Sequence, residues 1–259
     1  MNNTKKWLSI IAILLITNVG VFSQTALEII GNATASIDIS SMEMTATLKI
    51  YDAKGRERVR QTVTATKEFD GVTKTIVKFT APADVKGTSM LIYDYEKKDD
   101  DMWIYLPALR KTRRIVSSEK GKNFMGSEFS NADMSKPNID NFSYKILSTE
   151  IYAGKACWKI ETTCNNEDIE DENGYSKKIS WIEKESFLCH KIEFYDIDGE
   201  LHKIQTIKEY RKQNSGKYFA FYMEKENMQN GRKSLMIINQ FQENSALQES
   251  AFAPTMLEK

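Results

Sequence analysis

The chain has 259 residues and no net charge, with 36 Lys and Arg against 36 Asp and Glu. That balance excludes a basic nucleic-acid-binding protein, which needs a strong cationic excess. Three cysteines, Cys157, Cys164 and Cys189, form at most one intramolecular pair and are too few to frame a domain of this size, and no Cys-x-x-Cys or His-rich spacing equips them to hold a metal.

Residues 1–23 have the pattern of a cleaved secretory signal peptide. Lys5 and Lys6 form a positive start, residues 7–22 an apolar run, and Val21 and Ser23 a cleavable end. The alternative is a permanent anchor, because the run approaches the lower length of a spanning helix. No Cys follows it, so the mature chain is expected to be exported to the periplasm without a lipid of its own at that point. No Pro/Gly/Ser-rich linker divides the remainder, and residues 24–259 are expected to form one domain.

The mature chain opens with a short amphipathic helix. Ala26, Ile29, Ile30 and Ala33 recur at helical spacing, with Thr25 as N-cap and Glu28 three residues on. The period then changes to two. Residues 42–82 hold three Thr- and Val-rich runs broken at "DAKG" and "FDG", the mark of hairpins.

Residues 88–95 and 102–105 are strands apolar on both faces, and so expected to be covered on both. Met90 and Ile92 oppose Leu91, Tyr93 and Tyr95; Trp103 and Tyr105 oppose Met102, Ile104 and Leu106. Asp99, Asp100 and Asp101 between them are a hairpin turn rather than a cation site, because adjacent side chains diverge. Residues 121–138 are turn-rich yet carry Phe124, Met125, Phe129 and Met134, which predicts a loop or short helix lying over an apolar face.

From residue 142 onward the alternation resumes in two strands split at Ala153 and Gly154. Five more follow, with turns near Lys184 and at "DIDG", "NSG" and "QNG". Strands arriving in sequence with short turns imply an antiparallel meander. About ten such strands must curl around something.

Signals of chemistry are thin. His190 and His202 are the two histidines and both sit in alternating strands. There is no nucleophile elbow, phosphate-cradling loop or zinc-protease helix. No catalytic residue, no metal and no cofactor is expected.

The central stretch resembles a known family. Phe79, Pro82, the Lys-Gly-Thr of residues 86–88, the Trp-x-Tyr-Leu-Pro-Ala of residues 103–108, the basic residues 110–114, the Phe-Met-Gly-Ser of residues 124–127 and Asp133 with Met134 resemble the signature of LolA-like outer-membrane lipoprotein-sorting proteins. The flanks agree, so the resemblance spans essentially the whole mature chain. It implies a mainly β fold, an antiparallel sheet curled into an incomplete barrel with a helical and loop lid. It also implies a soluble, non-enzymatic periplasmic carrier that holds the acyl chains of lipoproteins in a hydrophobic cavity and delivers them toward the outer membrane.

Cavity and lid candidates are then Leu91, Tyr93, Trp103, Tyr105, Leu106, Phe124, Met125, Phe129 and Met134. Arg110, Lys111, Arg113 and Arg114 are candidates for anionic headgroups or a docking partner, against the alternative of a solvated strand paired with Asp99–Asp101. The implied partners are lipoprotein or lipid acyl chains, an inner-membrane exporter, an outer-membrane acceptor and transient membrane contact, with the carrier itself a monomer. Two alternatives stand beside this reading: a carrier of another envelope lipid working with an inner-membrane exporter, and a non-catalytic β scaffold docking to an envelope complex.

Overall fold

The computed structural model describes residues 24–96 and 98–258; the leader assigned to residues 1–23 lies outside them. Helix α1 (Ala26–Ile37) starts as its sequence dictates. Thr25 and Glu28 close a reciprocal capping box, which satisfies two otherwise orphaned N–H groups. Six strands follow: β1 (Ser41–Tyr51), β2 (Glu57–Phe69), β3 (Val72–Ala81), β4 (Ser89–Tyr95), β5 (Asp101–Leu106) and β6 (Lys111–Ile115). After the short helix α2 (Ser117–Lys120) and several single turns come β7 (Phe142–Tyr152), β8 (Lys155–Cys164), helix α3 (Glu167–Asn173), β9 (Lys177–Glu183), β10 (Cys189–Tyr195), β11 (Leu201–Lys212), β12 (Tyr218–Asn227) and β13 (Lys233–Glu243).

The thirteen strands form one sheet in the order β6-β5-β4-β3-β2-β1-β13-β12-β11-β10-β9-β8-β7, and every described pairing is antiparallel. The alternating and apolar runs read along the sequence correspond to twelve of these strands, and the short basic strand β6 is the thirteenth. Strands β6 and β7 are its two edges and do not pair, so the barrel is incomplete. Laid flat, the edges would stand about 58 Å apart.

One lysine shows how far the sheet curls. Buried Lys120 contacts Asp100 at 3.8 Å, in the β4–β5 turn near one edge, and also Glu172 in α3, near the other. Beside it, Gly121 lies so close to Gly174 that a Cβ there would sit 2.7 Å from the Gly174 nitrogen. Backbone shifts at Thr45/Ala46, Gln61/Thr62 and Phe194/Tyr195 mark bulges, which add local twist and allow the curl.

The sheet's two faces are covered by different segments. On the face termed inner, Leu48, Ile50, Phe79, Met90, Ile92 and Met102 pack with Phe124 and Phe129 of the β6–β7 connection. On the outer face of β2–β5, Ile76 and Leu91 pack with Phe252 and Leu257 of the C-terminal segment. Hydrogen bonds stitch that segment diagonally over the sheet, to β1, β2 and β4. Ser41 Oγ donates to the Ser245 carbonyl (3.1 Å), Lys67 Nζ to Leu247 (3.0 Å), Tyr93 OH to Phe252 (2.8 Å) and Ser89 Oγ to Leu257 (2.5 Å). The double-sided apolar character of β4 and β5 thus has two separate causes.

Phe252 is 0% exposed and meets Phe69 edge-on at 5.5 Å. Phe252→Ala is expected to destabilise the protein by about 3–5 kcal/mol in urea titration. Leu109→Ala, at a 68% exposed turn residue, should stay within about 0.5 kcal/mol.

Candidate functional site

The connection from β6 to β7, residues 116–141, crosses the inner face and forms a lid. Phe124 and Phe129 are both buried in the inner cluster, with Met125 and Met134 packed against it. The Phe124 ring lies 5.7 Å from that of Phe79 in β3. The lid's own aromatic groups therefore fill the space between the crossing segment and the sheet.

Tight turns hold the lid down. Met125 and Gly126 both have positive φ (49° and 74°), a conformation that disfavours the methionine. Two arginines, one in β2 and one in the β12–β13 turn, secure their carbonyls. Arg60 of β2 donates to the Met125 oxygen, and Arg232 Nη2 donates to the Gly126 oxygen at 2.7 Å.

A second set of contacts is ionic and deeper. Glu128, 1% exposed, points into the sheet. Its carboxylate lies 3.5 Å from Lys203 Nζ and 3.0 Å from Arg232 Nε, the latter out of line for a hydrogen bond, and accepts from Asn227 Nδ2 at 3.1 Å. Its backbone N–H donates to Ser234 Oγ at 2.9 Å, and its carbonyl accepts from Lys203 Nζ, also at 2.9 Å. Asp133 accepts from Lys225 Nζ at 2.6 Å. Desolvation pushes the Asp133 carboxyl up, but the Lys225 ammonium, the Ser130 N–H and Lys203 together outweigh it, and the net shift is downward. Burial also lowers Lys203, with neighbouring Lys225 adding to the effect.

A cleft of about 700 Å³ opens beside the lid, between the β4–β5 turn, the end of α1 and α3. Its walls are rich in carboxylates, among them Asp38, Asp94, Asp99, Asp100, Asp140 and Glu172. Burial raises Asp94 to about 6 despite its hydrogen bond from the Lys136 backbone. This open, polar space differs from the apolar cavity expected from the sequence, and the apolar surface lies instead beneath the lid.

The nine cavity candidates divide between the two faces. Leu106, Phe124, Met125, Phe129 and Met134 join the inner cluster. Leu91, Tyr93, Trp103 and Tyr105 lie on the outer face under the C-terminal segment, with Tyr93 and Trp103 edge to face at 5.1 Å. Strand alternation turns these four away from the lid. The four basic candidates also divide. Arg113 pairs with Glu119 at 2.6 Å and Arg114 pairs with Asp101. Among the described residues Arg110 and Lys111 have no ion pair and both are exposed. Cys157, Cys164 and Cys189 are separate thiols.

Of the residues that fasten the lid, Asp133 was singled out from the sequence as part of the family signature, whereas Arg60, Glu128, Lys203, Lys225 and Arg232 were not. One signal was available for Lys225. Phe219, Phe221 and Met223 precede it at period two, so its position continues an inward-facing row.

An open antiparallel sheet, curled around an apolar inner face and covered by a crossing lid, defines the class of fold as an incomplete antiparallel barrel. A family model described only as an uncharacterized protein matches residues 71–259, more than half of the chain. An outer membrane lipoprotein-sorting protein domain, so named, from Vibrio parahaemolyticus is 28% identical, with a TM-score of 0.84 over 90% of this chain and 98% of its own. A DUF1329 family protein from Desulfovibrio piger is 26% identical, with a TM-score of 0.83 over 90% and 97%. A LolA superfamily protein from Nitrosomonas europaea shares the fold at 18% identity, with a TM-score of 0.72 over 90% and 100%. No functionally curated protein matches the chain. The chain belongs to a LolA-like family.

Glu128→Ala would leave Lys203 and Arg232 facing a buried gap, and is expected to cost about 3–5 kcal/mol in urea titration. Glu226→Ala, at an exposed position on the neighbouring β12, should stay within about 0.5 kcal/mol.

Proposed function

We propose that the protein is a non-enzymatic periplasmic carrier of acyl chains, taking lipoproteins or a related envelope lipid toward the outer membrane. One observation carries this reading. The lid is a separate crossing segment whose apolar side chains pack on a continuous apolar inner face, so moving it uncovers a ready surface for hydrocarbon.

Magnitudes fit an exchange. Exposing Phe124, Met125, Phe129 and Met134 costs about 6–12 kcal/mol. Burying one sixteen-carbon chain returns on the order of 12 kcal/mol gross. A single chain therefore comes close to balance with the lid, whereas a cargo with two or more chains outweighs it. Near balance is what a carrier needs, because the cargo must also leave.

The basic edge supports delivery. Leu109 projects beside Arg110 and Lys111, whose charges are unpaired among the described residues. Each cation near an anionic bilayer contributes about 1 kcal/mol. An inner-membrane exporter and an outer-membrane acceptor are the partners this edge would meet. The Vibrio relative's name agrees with the lipoprotein reading.

Native mass spectrometry with lipid extraction tests this on protein purified from its own periplasm without detergent. Acylated protein or a free envelope lipid is expected to copurify, and its identity names the cargo. An empty protein that also takes up no fluorescent fatty acid would contradict the carrier function.

A further inference from the structure

The inner face is not uniformly apolar. Cross-strand register places Lys178 of β9 opposite Phe194 of β10, Phe194 opposite Lys203 of β11, and Lys203 opposite Asn227 of β12. Residues directly opposed across a ladder share a face, so these four form one row across four adjacent strands. Lys225 lies beside the row, with its ammonium 4.1 Å from the centre of the Phe194 ring. At the rim, Arg232 reaches the same lid carboxylate as Lys203.

Four cations thus gather where the sheet meets the lid, and two carboxylates, Glu128 and Asp133, pair with three of them, Lys203, Lys225 and Arg232. Both carboxylates belong to the lid. Lys178 has no ion pair among the described residues and lies over the faces of Phe142 and Tyr175, at 5.7 and 5.6 Å. Burial lowers its pKa as well.

The lid has the chemistry of an anionic amphiphile. Its carboxylates sit on the cationic row and its Phe and Met side chains sit on the apolar zone of β1 and β3–β5. We infer that Lys178, Lys203 and Lys225 form the seat for the anionic head of the cargo, and that the lid occupies this seat as an internal mimic until the cargo displaces it. The ligand class is an amphiphile with a carboxylate or phosphate head next to its hydrocarbon. When the lid leaves, its two carboxylates leave with it. Buried cations left uncompensated are costly, so a neutral amphiphile cannot replace the lid as well as an anionic one.

This inference rests on the carrier reading, and one experiment separates their failures. N-phenyl-1-naphthylamine, a neutral apolar dye, is bound to the full mature protein and displaced with dodecanoic acid, dodecyl phosphate or dodecanol. Both anionic compounds, or one of them, should displace the dye at concentrations about tenfold below dodecanol. Which one does so identifies the head that the seat prefers. In Lys203→Gln and Lys225→Gln proteins the ratio of anionic to neutral displacement should fall toward one. Equal displacement by all three in the wild type overturns the cationic seat while leaving an acyl carrier. Failure of all three to displace or bind overturns both. The wild-type ratio decides even if a variant fails to fold.

Discussion

Strands β6 and β7 are consecutive in sequence but lie at opposite edges of one sheet. The chain between them has to cross a face of that sheet, and the rest of the molecule follows from this. A crossing segment over an antiparallel sheet must be apolar beneath and must satisfy its irregular backbone, because buried unpaired polar groups cost about 1–3 kcal/mol each. Phe124, Met125, Phe129 and Met134 meet the first demand. Arg60, Arg232, Ser234 and Lys203 meet the second by bonding lid carbonyls or N–H groups. Lys120, Gly121 and Gly174 fasten the start of the crossing to both ends of the sheet.

The consequence is a lid that is well held yet separable. Its hold is concentrated in a few polar contacts and one apolar patch rather than in strand pairing. A strand added to the gap would have closed the barrel and removed the edges, and with them any way to open. Buried ion pairs suit a latch because little of their value is net stability, while their geometry is demanding. Leaving β6 and β7 unpaired keeps the inner face reachable. The short β6 carries three cations, Lys111, Arg113 and Arg114, a recognised means of blunting an exposed edge.

Much of this architecture was legible along the chain. Turn residues placed the breaks correctly: Ala153 and Gly154 separate β7 from β8, and "DIDG", "NSG" and "QNG" separate β10 through β13. Alternation also sorted Met90 and Ile92 from Leu91 and Tyr93. It could not say which set meets the lid, because both are apolar and both are covered. That choice is made by the C-terminal segment, whose Phe252 carbonyl bonds Tyr93 from 159 residues away. Lys203 looks like an ordinary solvated lysine of an alternating strand until the lid's Glu128 is set against it. Helix α3 had local signs, an Asn166 cap and a left-handed Gly174, but few apolar residues to give it a period.

The account turns on the lid giving way to hydrocarbon. Hydrogen–deuterium exchange of residues 122–135, read with and without a saturating long-chain fatty acid, observes that step directly. Protected amides in the empty protein that become exposed on binding, while β1 and β3–β5 stay protected, are the predicted result. Bound ligand with unchanged lid protection would contradict the displacement, and would place the hydrocarbon somewhere other than beneath the lid.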